Sequence, residues 1–167
     1  SLSIPSPAAT GAGRDSARAA VAAFIADCAK STELAPPNCP FAAGYDIGDH
    51  LGHEDLRDHR EIRWTVTEAP VVEFAANGSF VEVRESRAGA VELSFTATEH
   101  RWNGDDWVPG DEEHLTTTCR IDVGSLALTL HVGGTWRVAH VADPGAVFDP
   151  LSYRPAASVD TCGVAKG

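Results

Sequence analysis

Histidines and carboxylates crowd one short stretch, Asp46-Ile47-Gly48-Asp49-His50-Leu51-Gly52-His53-Glu54-Asp55, with Asp58 and His59 just beyond. Imidazole nitrogens beside carboxylate oxygens are the donor set of zinc and related divalent ions. His50, His53, Asp49 and Glu54 are therefore the candidate metal ligands. The spacing is not that of a zinc-protease helix, because Arg57 stands where the second His of His-Glu-x-x-His would fall. The acidic positions do not match a calcium-binding EF-hand loop either. The competing reading is a solvated acidic loop that holds no ion.

A second acidic stretch runs from Asn103 to His114 and includes Asp105, Asp106, Asp111, Glu112 and Glu113. It suits weak calcium binding, or an extended hairpin tip whose charges guard its edge. A third possibility is a pocket on a sheet face. His140 shares a strand face with Trp136, and a histidine close to Glu99 or Asp122 would make a general base. Trp64, Trp107, Trp136 and His140 are the candidate residues for binding a ligand or a partner. Neither a Gly-x-Ser-x-Gly nucleophile turn nor a phosphate-cradling Gly-x-x-x-x-Gly-Lys loop occurs, and no motif implies a cofactor.

Charge narrows the partners. Thirteen Lys and Arg stand against 24 Asp and Glu, a formal net charge of −11. Such a chain is repelled by phosphate backbones, so nucleic acid is not expected as a partner. No run approaches the roughly 18 apolar residues that a bilayer crossing needs. The chain opens Ser1-Leu2-Ser3-Ile4 and has no Met, which points to a signal peptide or membrane anchor upstream of it.

The elements that must position these groups follow from periodicity. Residues 1–14 read as a linker arm. Asp15 suits an N-cap, and Ala17, Val21, Phe24, Ile25 and Cys28 mark one buried face of a helix over Ser16–Lys30. Pro36-Pro37 forbids its continuation. Residues 42–60 read as a winding loop, with a turn or two of helix over His53–Arg60. The period then changes to two. Ile62, Trp64 and Val66 alternate with polar residues, and further strands follow Val71, Phe80, Val91, Leu115, Leu126 and Trp136. Asn77-Gly78, Asn103-Gly104 and Gly133-Gly134 supply the turns between them. The expected fold class is α+β. One N-terminal helix packs on a curved antiparallel meander of about five to seven strands, in a single domain over 15–150 with a tail over 151–167.

Four cysteines, Cys28, Cys39, Cys119 and Cys162, suit two disulfides, for which three pairings exist. None falls in a Cys-x-x-Cys spacing, which argues against a zinc ribbon or a thioredoxin-type motif. Cys28 and Cys39 flank the helix exit, and Cys119 shares the inward phase of Leu115 and Ile121. Pairing 28 with 39 and 119 with 162 is therefore favoured; four buried free thiols are the alternative.

The helix running into Asp27-Cys28-Ala29, then Leu34, a proline and Cys39-Pro40-Phe41, with Trp64 on a later strand, resembles a particular group. These are extracytoplasmic domains of actinobacterial membrane-anchored or secreted proteins with an NTF2-like or cystatin-like fold. The resemblance spans about residues 15–142, and its specific part is Cys28–Phe41. It implies a domain held outside the membrane, in the cell envelope, and transfers no catalytic residue. The function expected is non-catalytic binding of a small ligand or an envelope partner through a concave sheet face. The alternatives are an isomerase- or hydrolase-type pocket enzyme with a His–carboxylate pair, and a divalent-metal binder using the 46–59 loop.

Overall fold

Alanine is the strongest helix former, and the stretch around Arg14–Ala29 is rich in it. In the computed structural model, which describes residues 11–44, 46–78, 80–140 and 160–162, helix α1 spans Gly11–Cys28. The helix therefore starts upstream of Asp15, and residues 11–14 belong to it rather than to a linker arm. Asp15 does not cap the helix; its carboxylate lies 3.5 Å from Arg18, one turn on. Such an i,i+3 pair supports the helix from within. Ala17, Val21, Ile25 and Cys28 form the buried face. Residues 1–10, Asp143-Pro144-Gly145, where the sequence leads one to expect a turn closing the sheet, and most of the 151–167 tail lie outside the described residues.

Helix α2, Ile47–His50, is a single turn. Strands follow as β1 (Leu56–Glu68), β2 (Val71–Asn77), β3 (Phe80–Arg87), β4 (Gly89–Trp102), β5 (Trp107–Ile121), β6 (Leu126–His131) and β7 (Thr135–His140). The helical turn expected over His53–Arg60 is absent: from Leu56 onward the chain pairs with β4, Leu56 opposite Glu99 and Arg57 opposite Thr98. Backbone pairing along a long neighbouring strand outweighs a weak local helical preference.

The fold is α+β, with one N-terminal helix and two antiparallel sheets, ordered β1-β4-β5 and β2-β3-β6-β7. The two orders correspond. β1 runs on into β2, β3 into β4 and β5 into β6, so three long ribbons bend from one sheet into the other. Ala69-Pro70, Ala88-Gly89 and a 3-10 turn at Val123–Ser125 form the corner. A Cβ placed on Gly89 would sit 2.6 Å from Pro70 Cδ and 2.7 Å from Pro70 N, so only glycine lets the first two ribbons touch there. One hydrophobic cluster joins the α1 face to Trp64, Leu93 and Phe95 of the first sheet and to Val83, Leu126 and Leu128 of the second.

Both expected disulfides are formed, Cys28–Cys39 and Cys119–Cys162. The second carries part of the tail back to the sheet. Thr161 donates its N–H to the Ala42 carbonyl at 2.8 Å and accepts from Arg120 N–H at 3.0 Å. It thereby covers β5, which is the edge of its sheet. Disulfides of this kind belong to an oxidising, extracytoplasmic environment. Among the described residues no helix is long and apolar enough to cross a membrane.

A candidate ligand cavity beside a doubly bulged strand

Strict alternation back from Trp64 would turn Ile62, Arg60, Asp58 and Leu56 toward the core. Two of those are charged. The pairing of β1 with β4 resolves the conflict with two of its three slips, between Arg57 and Arg60 and between Arg60 and Arg63. Each slip places two β1 residues opposite one on β4, which is a β-bulge. Asp58 (φ 55°) and Glu61 (φ 54°) take up the extra length in the left-handed region. For residues with a side chain that conformation costs about 1 kcal/mol or more each.

The bulges exchange the faces. Arg60 turns outward, 3.1 Å from Asp58 Oδ2 and 3.3 Å from Glu112 Oε1. His59 turns inward, its ring 5.6 Å from the ring of Phe95. Its Nε2 is buried and has no hydrogen-bond partner among the described residues. Burial holds the imidazole pKa below its ordinary value; the neighbouring Asp58 carboxylate pulls the other way and is outweighed. The side chain is thus biased toward the neutral form and carries an unused polar atom.

His59 and Ile62 form the β1 side of a 410 Å³ cavity, completed by Thr32, Glu33, Leu34, Ala35 and Ala43. The segment 32–35 is its roof, and three contacts pin it. Leu34 carbonyl accepts from Ala43 N–H at 2.7 Å. Glu33 carbonyl accepts from the Trp64 indole N–H at 2.8 Å. The Cys28–Cys39 bridge ties the chain on either side of it to the end of α1.

The residues singled out from the sequence fall in separate places. Trp64 is buried, 3% exposed, and rests on Phe41 with ring centroids 4.8 Å apart. It supports the roof without lining the cavity. Trp107 is exposed and meets Trp102 edge-on at 5.8 Å, beside the tip of the β4–β5 hairpin. Trp136 lies half-buried in a groove between β7 and α1, near Phe24 and Val138. His140, at the end of β7 opposite Leu126, is buried.

The four metal candidates do not gather either. His50 Nε2 lies 3.5 Å from Asp46 Oδ2 and 3.9 Å from Asp160 Oδ2. His53 Nδ1 lies 3.9 Å from Glu99 Oε1. Asp49 and Glu54 are exposed. The second acidic stretch is mostly strand: β5 begins at Trp107, Asp111 pairs with Arg101 at 3.1 Å, and only 103–106 form the tip. Of the acids considered as base partners, Asp122 faces Arg120 at 3.6 Å.

No protein-family model matches the chain, and no curated protein or solved structure does. Sequence reasoning placed His59 only at the end of a candidate metal-binding loop, and it passed over Asp160. The signal for His59 was present as a violation, since period two drives Asp58 and Arg60 into the core. Asp160 left no local signal, because a contact made across more than a hundred residues leaves none.

Proposed function

We propose that this chain is a non-catalytic extracytoplasmic binding domain of NTF2-like fold, secreted or anchored in the cell envelope. It holds a small ligand against the core-facing side of the first sheet. One observation carries the reading: His59, which two strained bulges turn to the lining of a cavity, keeps a buried imidazole nitrogen without a partner among the described residues. A buried polar atom left without a partner costs about 1–3 kcal/mol. Strain and an unmet hydrogen bond at one place are what a ligand site tolerates and a purely structural strand avoids. Leu34, Ala35, Ala43 and Ile62 would take an apolar body, and His59 Nε2 one hydroxyl, amide or similar group. The histidines that lie beside carboxylates, His50 and His53, are not part of the cavity lining, which favours binding over acid–base chemistry.

The test is a fragment screen by NMR on the disulfide-bonded protein. Bound fragments are expected to shift the Leu34, Ala43 and Ile62 resonances together. His59→Leu is expected to weaken them by about tenfold, the equivalent of roughly 1.4 kcal/mol lost with one buried hydrogen bond. Fragments that bind only elsewhere, or equally well to His59→Leu, refute the reading.

A further inference from the structure

We infer that Asp46, His50 and Asp160 form a site for one divalent ion of the zinc class, apart from the His59 cavity. The donors come from two distant parts of the chain. Asp46 precedes α2 and His50 ends it, while Asp160 arrives through Thr161, bonded to Ala42 and Arg120, and through the Cys119–Cys162 bridge. Asp160 Oδ1 accepts the Cys162 N–H at 2.9 Å, and its Oδ2 lies 3.9 Å from His50 Nε2.

The distances fit a metal. Ligands about 2.1 Å from a tetrahedral zinc stand about 3.4 Å from one another. His50 Nε2 stands 3.5 Å and 3.9 Å from the two carboxylate oxygens, and one ligand atom from each residue lies within 4.8 Å of the others. Closing onto an ion therefore needs shifts of a fraction of an ångström on the two histidine edges. Gly44 leaves the room: a Cβ there would collide with Asp46 Oδ1 and come within 3.2 Å of Asp160 Oδ2. Two carboxylates balance a dication, and the imidazole nitrogen favours zinc-class ions over calcium or magnesium. Solvent completes the coordination, since Asp46 and His50 are exposed.

A second group, Glu61, Glu112 and His114, has comparable spacing. There Arg60 already lies 3.3 Å from Glu112, and the Thr96 hydroxyl holds Glu61 and His114 Nδ1 at 2.6 and 2.8 Å. Its charge and donor atoms are engaged within the protein.

The experiment titrates Zn²⁺ calorimetrically into the chelator-treated, disulfide-bonded chain, and records the visible spectrum with Co²⁺. One saturable ion per chain is expected, together with Co²⁺ d–d absorption. Both are lost in His50→Gln and in Asp46→Asn, whose far-UV dichroism and disulfide mass match the parent. Absence of saturable binding overturns the inference. So does binding that persists in His50→Gln, or that disappears in His114→Gln instead.

Discussion

His59 carries its consequence into pH dependence. Its pKa in the folded protein lies below the usual 6.5 because burial disfavours the imidazolium. The unfolded chain therefore binds the proton more readily between the two values. The stability linked to this group is present above about pH 6.5 and is lost as the pH falls toward the folded value. Unfolding free energy from urea titrations across about pH 5 to 8 is expected to rise with pH through that lower window. In His59→Leu that part of the slope is expected to vanish. An identical slope in the variant would show that His59 is freely protonated in the native state. The same residue illustrates what could be read in advance: its type and neighbours were visible, its direction was not. Trp64 is the converse, an aromatic residue that looked available for a partner and is held by Phe41 and the Glu33 carbonyl.

At the scale of elements, local chemistry is most legible where neighbours in sequence decide it. The Ala-rich helix and the turns at Asn77-Gly78, Asn103-Gly104 and Gly133-Gly134 all stand where composition places them. The path of 53–60 was misread because tertiary pairing decided it, and the start of α1 was placed too late, at Asp15, which pairs with Arg18 inside the helix. In the sequence the corner between the sheets shows only as turn or break residues at Pro70, Ala88-Gly89 and Gly124-Ser125; its tightness is a property of the packed ribbons. Gly89→Ala should therefore lower stability by about 2–3 kcal/mol, since the added methyl meets backbone and ring atoms of Pro70 that cannot swing aside. Denaturant midpoints measure this. An unchanged midpoint would mean that the first two ribbons can separate at the corner without loss.

For the whole molecule, the two bridges act at different distances. Cys28–Cys39 closes a separation of 11 residues and Cys119–Cys162 one of 43. Chain-entropy reasoning assigns about 3 and about 4 kcal/mol respectively to their loss. Replacing Cys119 and Cys162 with Ser is expected to lower stability more than replacing Cys28 and Cys39. It should also abolish zinc binding, because Asp160 then loses its tether, whereas the Cys28/Cys39 variant keeps the ion. Thermal melts and zinc titrations of the two double variants check both points. Equal zinc affinity in both would show that Thr161 alone holds Asp160 in place.

The sequence by itself determined the α+β class, the helix with its buried face and the hairpin turns, and it favoured the disulfide pairs and the oxidising environment they imply, which the structure then formed. These rest on periodicity, turn chemistry and cysteine placement, which act over a few residues or follow a strand's phase. Only the tertiary structure decided that His59 faces inward and that Asp160 meets His50. A bulge answers the partner strand, where burying Asp58 and Arg60 costs more than two left-handed residues. A side chain that meets another more than a hundred residues away answers only to where its tethers, the Cys162 bridge and the Thr161 bonds, find their mates.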